Sequence, residues 1–107
     1  MLVLPTRADC VPMVIAEAYA YGLPVVATDV GGVASVVEDQ VTGRLLPLSA
    51  TAMQWATAVT EIVRSPDRYR SLGKSGLKTF QRSLNWPAAV ARVVDLLRHR
   101  LSRSHAA

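Results

Sequence analysis

Gly22-Leu23-Pro24-Val25-Val26-Ala27-Thr28-Asp29-Val30-Gly31-Gly32 is the stretch that decides the fold. Gly22, with Pro24 just behind it, closes a preceding helix, since glycine takes the left-handed cap and proline cannot continue the turn. The β-branched run over 24–28 reads as a strand, and Asp29-Val30-Gly31-Gly32 as the loop that ends it. Upstream, Leu2-Val3-Leu4 is an apolar run stopped by Pro5, which reads as a buried strand end. Between these runs a helix is expected over 12–21, with Pro12 in its tolerated first turn. Downstream, a short helix over 33–38 and a turn at 39–43 lead to a third strand through Arg44-Leu45-Leu46-Pro47. Strand, helix, strand, helix, strand is the alternation that builds a parallel sheet with crossover helices.

After Ser49 the pattern becomes wholly helical. Ser49 is the expected N-cap of a helix whose inward stripe is Met53, Ala56, Val59, Ile62 and Val63. Ser65-Pro66 opens the next, with Tyr69, Leu72, Leu77 and Phe80 inward. Asn85 starts a third, with Pro87 in its first turn and Val90, Val94, Leu97 and Leu101 at helical spacing. The expected organisation is therefore an α/β part over 1–48, a helical part over 49–103 and a frayed tail over 104–107. Three strands make a poor open sheet, and Met1 leads into a core-like run without a preceding cap. The expectation is the second half of a doubly wound domain whose first half is missing.

At 107 residues, half of them hydrophobic and 19% charged, the chain has the composition of one packed domain rather than a disordered segment. Such a length buries roughly 60–70% of the surface that it exposes unfolded. The single cysteine, Cys10, cannot make an internal disulfide, so nothing calls for an oxidising compartment. No secretory leader or spanning run is visible, and a cytoplasmic location is expected. Of the twelve lysines and arginines behind the net charge of +4, Arg92, Arg98, Arg100 and Arg103 crowd the end of the chain with His99 and His105. That placement argues against nucleic acid as a partner. It fits either a solvated helix face or a peripheral contact with acidic headgroups at the inner face of the membrane.

The residues that could carry chemistry concentrate in Pro5-Thr6-Arg7-Ala8-Asp9-Cys10-Val11-Pro12-Met13-Val14-Ile15-Ala16-Glu17-Ala18. Glu17 is the one charge in a helix apolar nearly all round, which predicts burial and therefore a partner for its carboxylate. Helical side chains lean toward the N-terminus, so Glu17 is expected to tilt toward the loop over 9–12. That loop presents the free N–H groups and positive dipole end of the helix, a seat for phosphate. Acceptors for hydroxyls and donors for an anion then meet in one place, as a sugar nucleotide requires. The structural alternative pairs Glu17 with Arg7, or with an arginine outside the chain, and leaves Asp9 in a turn. Gly31-Gly32 either brings backbone close to a ligand or only turns a strand into a short helix. Cys10 has no histidine near it in sequence, so a cysteine nucleophile is not expected. Trp55 and Trp86 read as packing residues. No metal-ligand cluster and no Asp-x-Asp is present.

Taken together, the run over 5–22 resembles the Pro-Ser-x-x-Glu-Gly-Phe-Gly…Glu-Ala-x-Ala-x-Gly stretch of retaining GT-B glycosyltransferases of the large glycosyltransferase family four. The run over 23–32 is similar to that family's Gly-x-Pro-Val-Val-Ala-Thr-Asp-x-Gly-Gly. Val36-Val37-Glu38-Asp39 and Thr42-Gly43-Arg44-Leu45-Leu46-Pro47 continue it, and Trp86 resembles the tryptophan segment near the family's end. The likeness spans about the whole chain and implies a partial Rossmann-like sheet, the C-terminal donor-binding part of a GT-B enzyme, followed by C-terminal helices. It implies transfer of a glycosyl group from a nucleoside-diphosphate sugar with retention and without a metal. The family's two acidic residues fall on Asp9, toward the donor sugar, and on Glu17, toward the ribose. Backbone N–H groups around Cys10, Val11, Pro12, Met13 and Val14 would approach the sugar and diphosphate. Asp9 stands where the family has Glu, and Cys10-Val11-Pro12 replaces Gly-Phe-Gly, with Pro12 removing one donor. Ser35 also stands where many relatives carry Glu. By the same resemblance the diphosphate-neutralising Arg and Lys and the N-terminal acceptor domain lie upstream of the chain, leaving Arg7 as the one basic residue beside the site. The expectation is an isolated chain without turnover. The alternatives are a non-catalytic remnant or interaction module and, more distantly, a nucleotide-sugar epimerase-like GT-B protein.

Overall fold

The computed structural model describes residues 1–8 and 13–106. Three strands, β1 (Leu2–Leu4), β2 (Val25–Thr28) and β3 (Gly43–Leu46), form one sheet in the order β1-β2-β3. Both pairs are parallel, with Leu2 opposite Val25 and Val25 opposite Gly43. The alternation read from the sequence is thus present, with β2 at the centre and every one of its residues buried. A strand covered on both faces should be continuously apolar, as Val25-Val26-Ala27 is.

Successive side chains of β2 serve two cores, because strand side chains alternate between faces. Val25 and Ala27 pack with Ile15, Ala18 and Tyr19 of helix α1 (Met13–Ala20) and with Val33 and Val37. Val26 points the other way, into a cluster with Leu46, Ala58, Ile62 and Leu72. The latter three come from α2 (Ala52–Val63) and α3 (Pro66–Thr79), so helices cover both faces. β1 is less buried than the sequence suggested, and Val3 is exposed. As an edge strand it has a neighbour on one side only.

The segment after β2 is a 3-10 turn over Val33–Ser35 rather than a helix to residue 38. It stops early because Val37 turns into the first core, where it is buried. Gly31 takes φ 53°, and the Gly32 carbonyl accepts from the Ser35 amide at 3.1 Å, so the glycine pair makes the strand-to-turn reversal.

α2 departs from expectation in start and in phase. Its N-cap is Thr51, not Ser49: the Thr51 hydroxyl accepts from the Gln54 amide, and Gln54 Oε1 accepts from the Thr51 amide at 2.8 Å. This reciprocal box needs Gln or Glu three residues after the cap, which Thr51 has and Ser49 lacks. The inward face is Trp55, Ala58, Val59 and Ile62, whereas Met53, Ala56 and Val63 are exposed. α3 begins as expected at Ser65, whose hydroxyl accepts from the Arg68 amide. It ends in one π-helical stretch, Phe80–Leu84. Asn85 then starts α4 (Trp86–Ala106), its Oδ1 accepting from the Ala88 amide at 2.9 Å. α4 runs beyond the tail boundary expected at 104, and it gives the molecule a long axis of 58 Å against 28 and 17 Å.

Candidate functional site

α1 has two unlike faces. Ile15, Ala18 and Tyr19 are buried toward the sheet, and Tyr19 is tethered there. Its hydroxyl donates to the Val36 carbonyl at 2.9 Å and lies 2.7 Å from Thr42 Oγ1. Burial pushes the Tyr19 phenol above its ordinary pKa; the Thr42 hydrogen bond works against this, and the Glu38 charge adds to it.

The opposite face carries Met13, Ala16, Glu17 and Ala20 at i, i+3, i+4 and i+7. With Phe80 and Trp86 they line an open groove of about 750 Å³. Glu17 is therefore exposed on the wall of this groove and is not the buried carboxylate that an all-apolar helix suggested. The reason is that α1 touches the sheet on one side only, so much of its apolar surface stays open; Met13 is 69% exposed. Among the described residues Glu17 makes no ion pair, with Arg7 or any other group. Among the described residues nothing occupies its acceptor oxygens, which suit hydroxyl donors. Asn85 also borders the groove, but its side chain is committed: Nδ2 donates to the Phe80 and Gln81 carbonyls. Glu17 is thus the one charged side chain among the described groove residues.

Met13 and Val14 are the first described residues of α1. Asp9, Cys10, Val11 and Pro12 lie outside the described residues. The structure therefore brings together Glu17 with the Met13–Val14 end of the helix. Sequence reading missed the groove itself. Its signal was the conjunction of Phe80 and Trp86 with the small residues Ala16 and Ala20, which leave space beside α1. Trp86 is 75% exposed on the groove rim, not packed as expected, whereas Trp55 does pack into the second core. Among the described residues no group of three or more His, Cys, Asp or Glu could hold a metal ion, and no helix is long and apolar enough to cross a membrane.

Sucrose-phosphate synthase from Thermosynechococcus elongatus superimposes with a TM-score of 0.82 at 34% identity, over 94% of this chain and 25% of that one. HepE of Anabaena, solved in complex with UDP, shares the fold at a TM-score of 0.79 and 20% identity, over 88% of this chain and 26% of that one. The sheet and its helices are those of the Rossmann-like part of a GT-B protein. The family model of the group 1 glycosyl transferases matches residues 1–65, and the chain belongs to that family. The D-inositol 3-phosphate glycosyltransferase of Thermobispora bispora is 30% identical over 105 residues, which is 98% of this chain and 24% of that protein. The chain spans about a quarter of the length of the relatives it matches.

Proposed function

We propose that this chain is the donor-binding part of a retaining glycosyltransferase that moves a glycosyl group from a nucleoside-diphosphate sugar to an acceptor. The observation that carries the reading is Glu17, a carboxylate on the groove wall of α1 without an ion pair among the described residues, inside the segment matched by the family model. In this role Glu17 accepts hydrogen bonds from ribose hydroxyls, and Asp9 accepts them from the donor sugar. The backbone N–H groups over 10–14 face the sugar and diphosphate, with Pro12 contributing none. The complexes of HepE with UDP and with UDP-glucose support a ligand of this class for the shared fold. Catalysis would consist of positioning and of stabilising the departing diphosphate, to which free amides at a helix start contribute. The finer partner assignments belong to the same proposal: an acceptor-binding domain in a longer polypeptide, and peripheral contact of the basic last helix with acidic headgroups, without a part for nucleic acid.

A second reading, a non-catalytic remnant or interaction module, is favoured by the apolar face of α4, which has no cover among the described residues. One experiment separates the two. This chain is grafted in place of the matching quarter of the Thermobispora bispora enzyme, and transfer is measured. The donor-binding reading expects turnover, and kcat/KM about 30-fold lower for Glu17→Ala, since losing a hydroxyl acceptor costs ~2 kcal/mol. Glu17→Gln keeps one acceptor and should lose less. A graft that folds yet transfers equally well with either substitution would contradict the assignment.

A further inference from the structure

α1 presents Glu17 to the groove and Tyr19 to the interior, two residues and about 200° of helical turn apart. Whatever fixes the rotation of one therefore fixes the other. Ile15 and Ala18, the other buried residues of α1, meet the first core through apolar contacts, which have no direction. Among the described residues the Tyr19 hydroxyl is the one side-chain group of α1 that makes a hydrogen bond.

That hydroxyl belongs to a chain of four groups. Tyr19 Oη donates to the Val36 carbonyl at 2.9 Å, so its own proton is committed. The Thr42 hydroxyl, 2.7 Å away, is then the donor to Tyr19 Oη, in preference to the Glu38 carbonyl at 3.5 Å. Thr42 Oγ1 in turn accepts from the Glu38 amide at 3.0 Å. Each hydroxyl thus donates once and accepts once, and bonds in such a chain strengthen one another. Tyr19 and Thr42 are both buried within the chain itself, so water does not compete for the contact. The anchor is also rigid. Thr42 precedes Gly43, where a Cβ would lie 1.9 Å from the Val25 carbonyl oxygen, so β3 is held tight against β2. On the α3 side the Tyr19 ring rests on Gly76, where a Cβ would lie 2.7 Å from Cδ1.

We propose that Tyr19 is a positioning residue for donor binding: its hydroxyl, held by Thr42 and Val36, sets the rotation of α1 and so the place of Glu17 on the groove wall. The proposal rests on Glu17 as the ribose acceptor and adds the buried contact that aims it. With Phe at 19 or Val at 42, α1 keeps its apolar contacts but loses the directed one, and it can turn about its axis. A displacement of about 1 Å at Glu17 is enough to matter, because misplacement of that size costs up to about a hundredfold in rate.

The test has two arms, with Tyr19→Phe and Thr42→Val as the variants. Thr51→Ala is the control, since it lowers stability at the α2 cap without touching α1. The first arm needs no nucleotide and uses backbone residual dipolar couplings of the 107-residue chain. In the parental and control chains the α1 couplings should fit the alignment frame of the sheet. In the two variants they should shrink and leave that frame while the sheet couplings hold. Couplings of α1 that stay in the frame in both variants would overturn the proposal, whatever the donor. The second arm reads the preference of the grafted enzyme for a ribonucleotide donor over its 2′,3′-dideoxy analogue. Tyr19→Phe should lower that preference at least about fivefold, Thr51→Ala should not change it, and Tyr19→Phe added to Glu17→Ala should lower it no further. An intact preference in Tyr19→Phe beside a loss in Glu17→Ala would overturn the positioning role and leave the donor reading standing. A preference that Glu17→Ala itself leaves unchanged would overturn the donor reading, and this proposal with it.

Discussion

Gly73 sits in the middle of α3 where that helix crosses the end of α1, and the contact is backbone against backbone. A Cβ at this position would lie 2.1 Å from the Gly22 carbonyl oxygen and 3.0 Å from its carbon. Gly22 cannot yield cheaply. It holds φ 67° at the close of α1, with its amide donating to the Tyr19 carbonyl and the Leu23 amide to the Ala18 carbonyl. Relief of the overlap in Gly73→Ala therefore requires α3 to retreat by about 1 Å or more, and interiors packed this closely do not absorb that. Leu72, beside Gly73, would be drawn away from Val26 and Ile62. Overpacking costs about 1–3 kcal/mol, and an overlap between two backbones belongs at the upper end. Alanine recovers about 1 kcal/mol through its helix propensity. The net expectation is a loss of about 2 kcal/mol, or a Tm lower by roughly 8–15 °C for a domain of this size. Thermal melts followed at the helical band would measure it, with Ser71→Ala on the exposed side of α3 as the control expected to change little. A Gly73→Ala protein that melts at or above the parental temperature would refute the close crossing of α3 over the α1 end.

Thr51→Ala removes one half of the capping box on α2 and should cost about 1 kcal/mol, read from the urea midpoint, whereas Ser49→Ala should change little. Tyr19 predicts an alkaline limit, since its folded pKa is raised by burial. Below about pH 10 both states hold the proton and the contribution to stability is complete; above it the unfolded chain releases first, and stability falls as pH rises through the folded value. Denaturant titrations from pH 8 to about pH 11 should therefore show a loss that Tyr19→Phe diminishes. The same substitution removes the donor to the Val36 carbonyl and the Tyr19–Thr42 hydrogen bond, while Thr42 keeps its bonds to Glu38, and costs about 1–2 kcal/mol at neutral pH.

What the sequence made legible was whatever depends on local chemistry. The Val25-Val26-Ala27-Thr28 run, Gly22 behind a helix and Ser65-Pro66 before one are each decided by a few adjacent residues, and the structure has all three. The phase of α2 was missed because five apolar residues were fitted as one stripe, whereas Trp55 sets a different one through Ala58, Val59 and Ile62. The exposure of Glu17 was missed for a related reason. An apolar helix surface predicts a neighbour, but it does not say on which side, and α1 meets the sheet only through Ile15, Ala18 and Tyr19. The same holds for α4, whose stripe at helical spacing has no cover among the described residues. Of the candidate site, the Glu17 end lies on the groove, while the half carried by Asp9 lies outside the described residues.

The central claim is that Glu17 meets the ribose of a nucleotide-sugar donor, and a two-by-two comparison tests it most directly. In the grafted enzyme, kcat/KM is measured for the ribonucleotide donor and its 2′,3′-dideoxy analogue, each with Glu17 and with Glu17→Ala. Groups in direct contact give losses that do not add. The account predicts that the parental protein prefers the ribonucleotide donor by about 30-fold, the equivalent of ~2 kcal/mol, and that Glu17→Ala loses most of that preference. Equal discrimination with and without the carboxylate would contradict the account and place the ribose elsewhere.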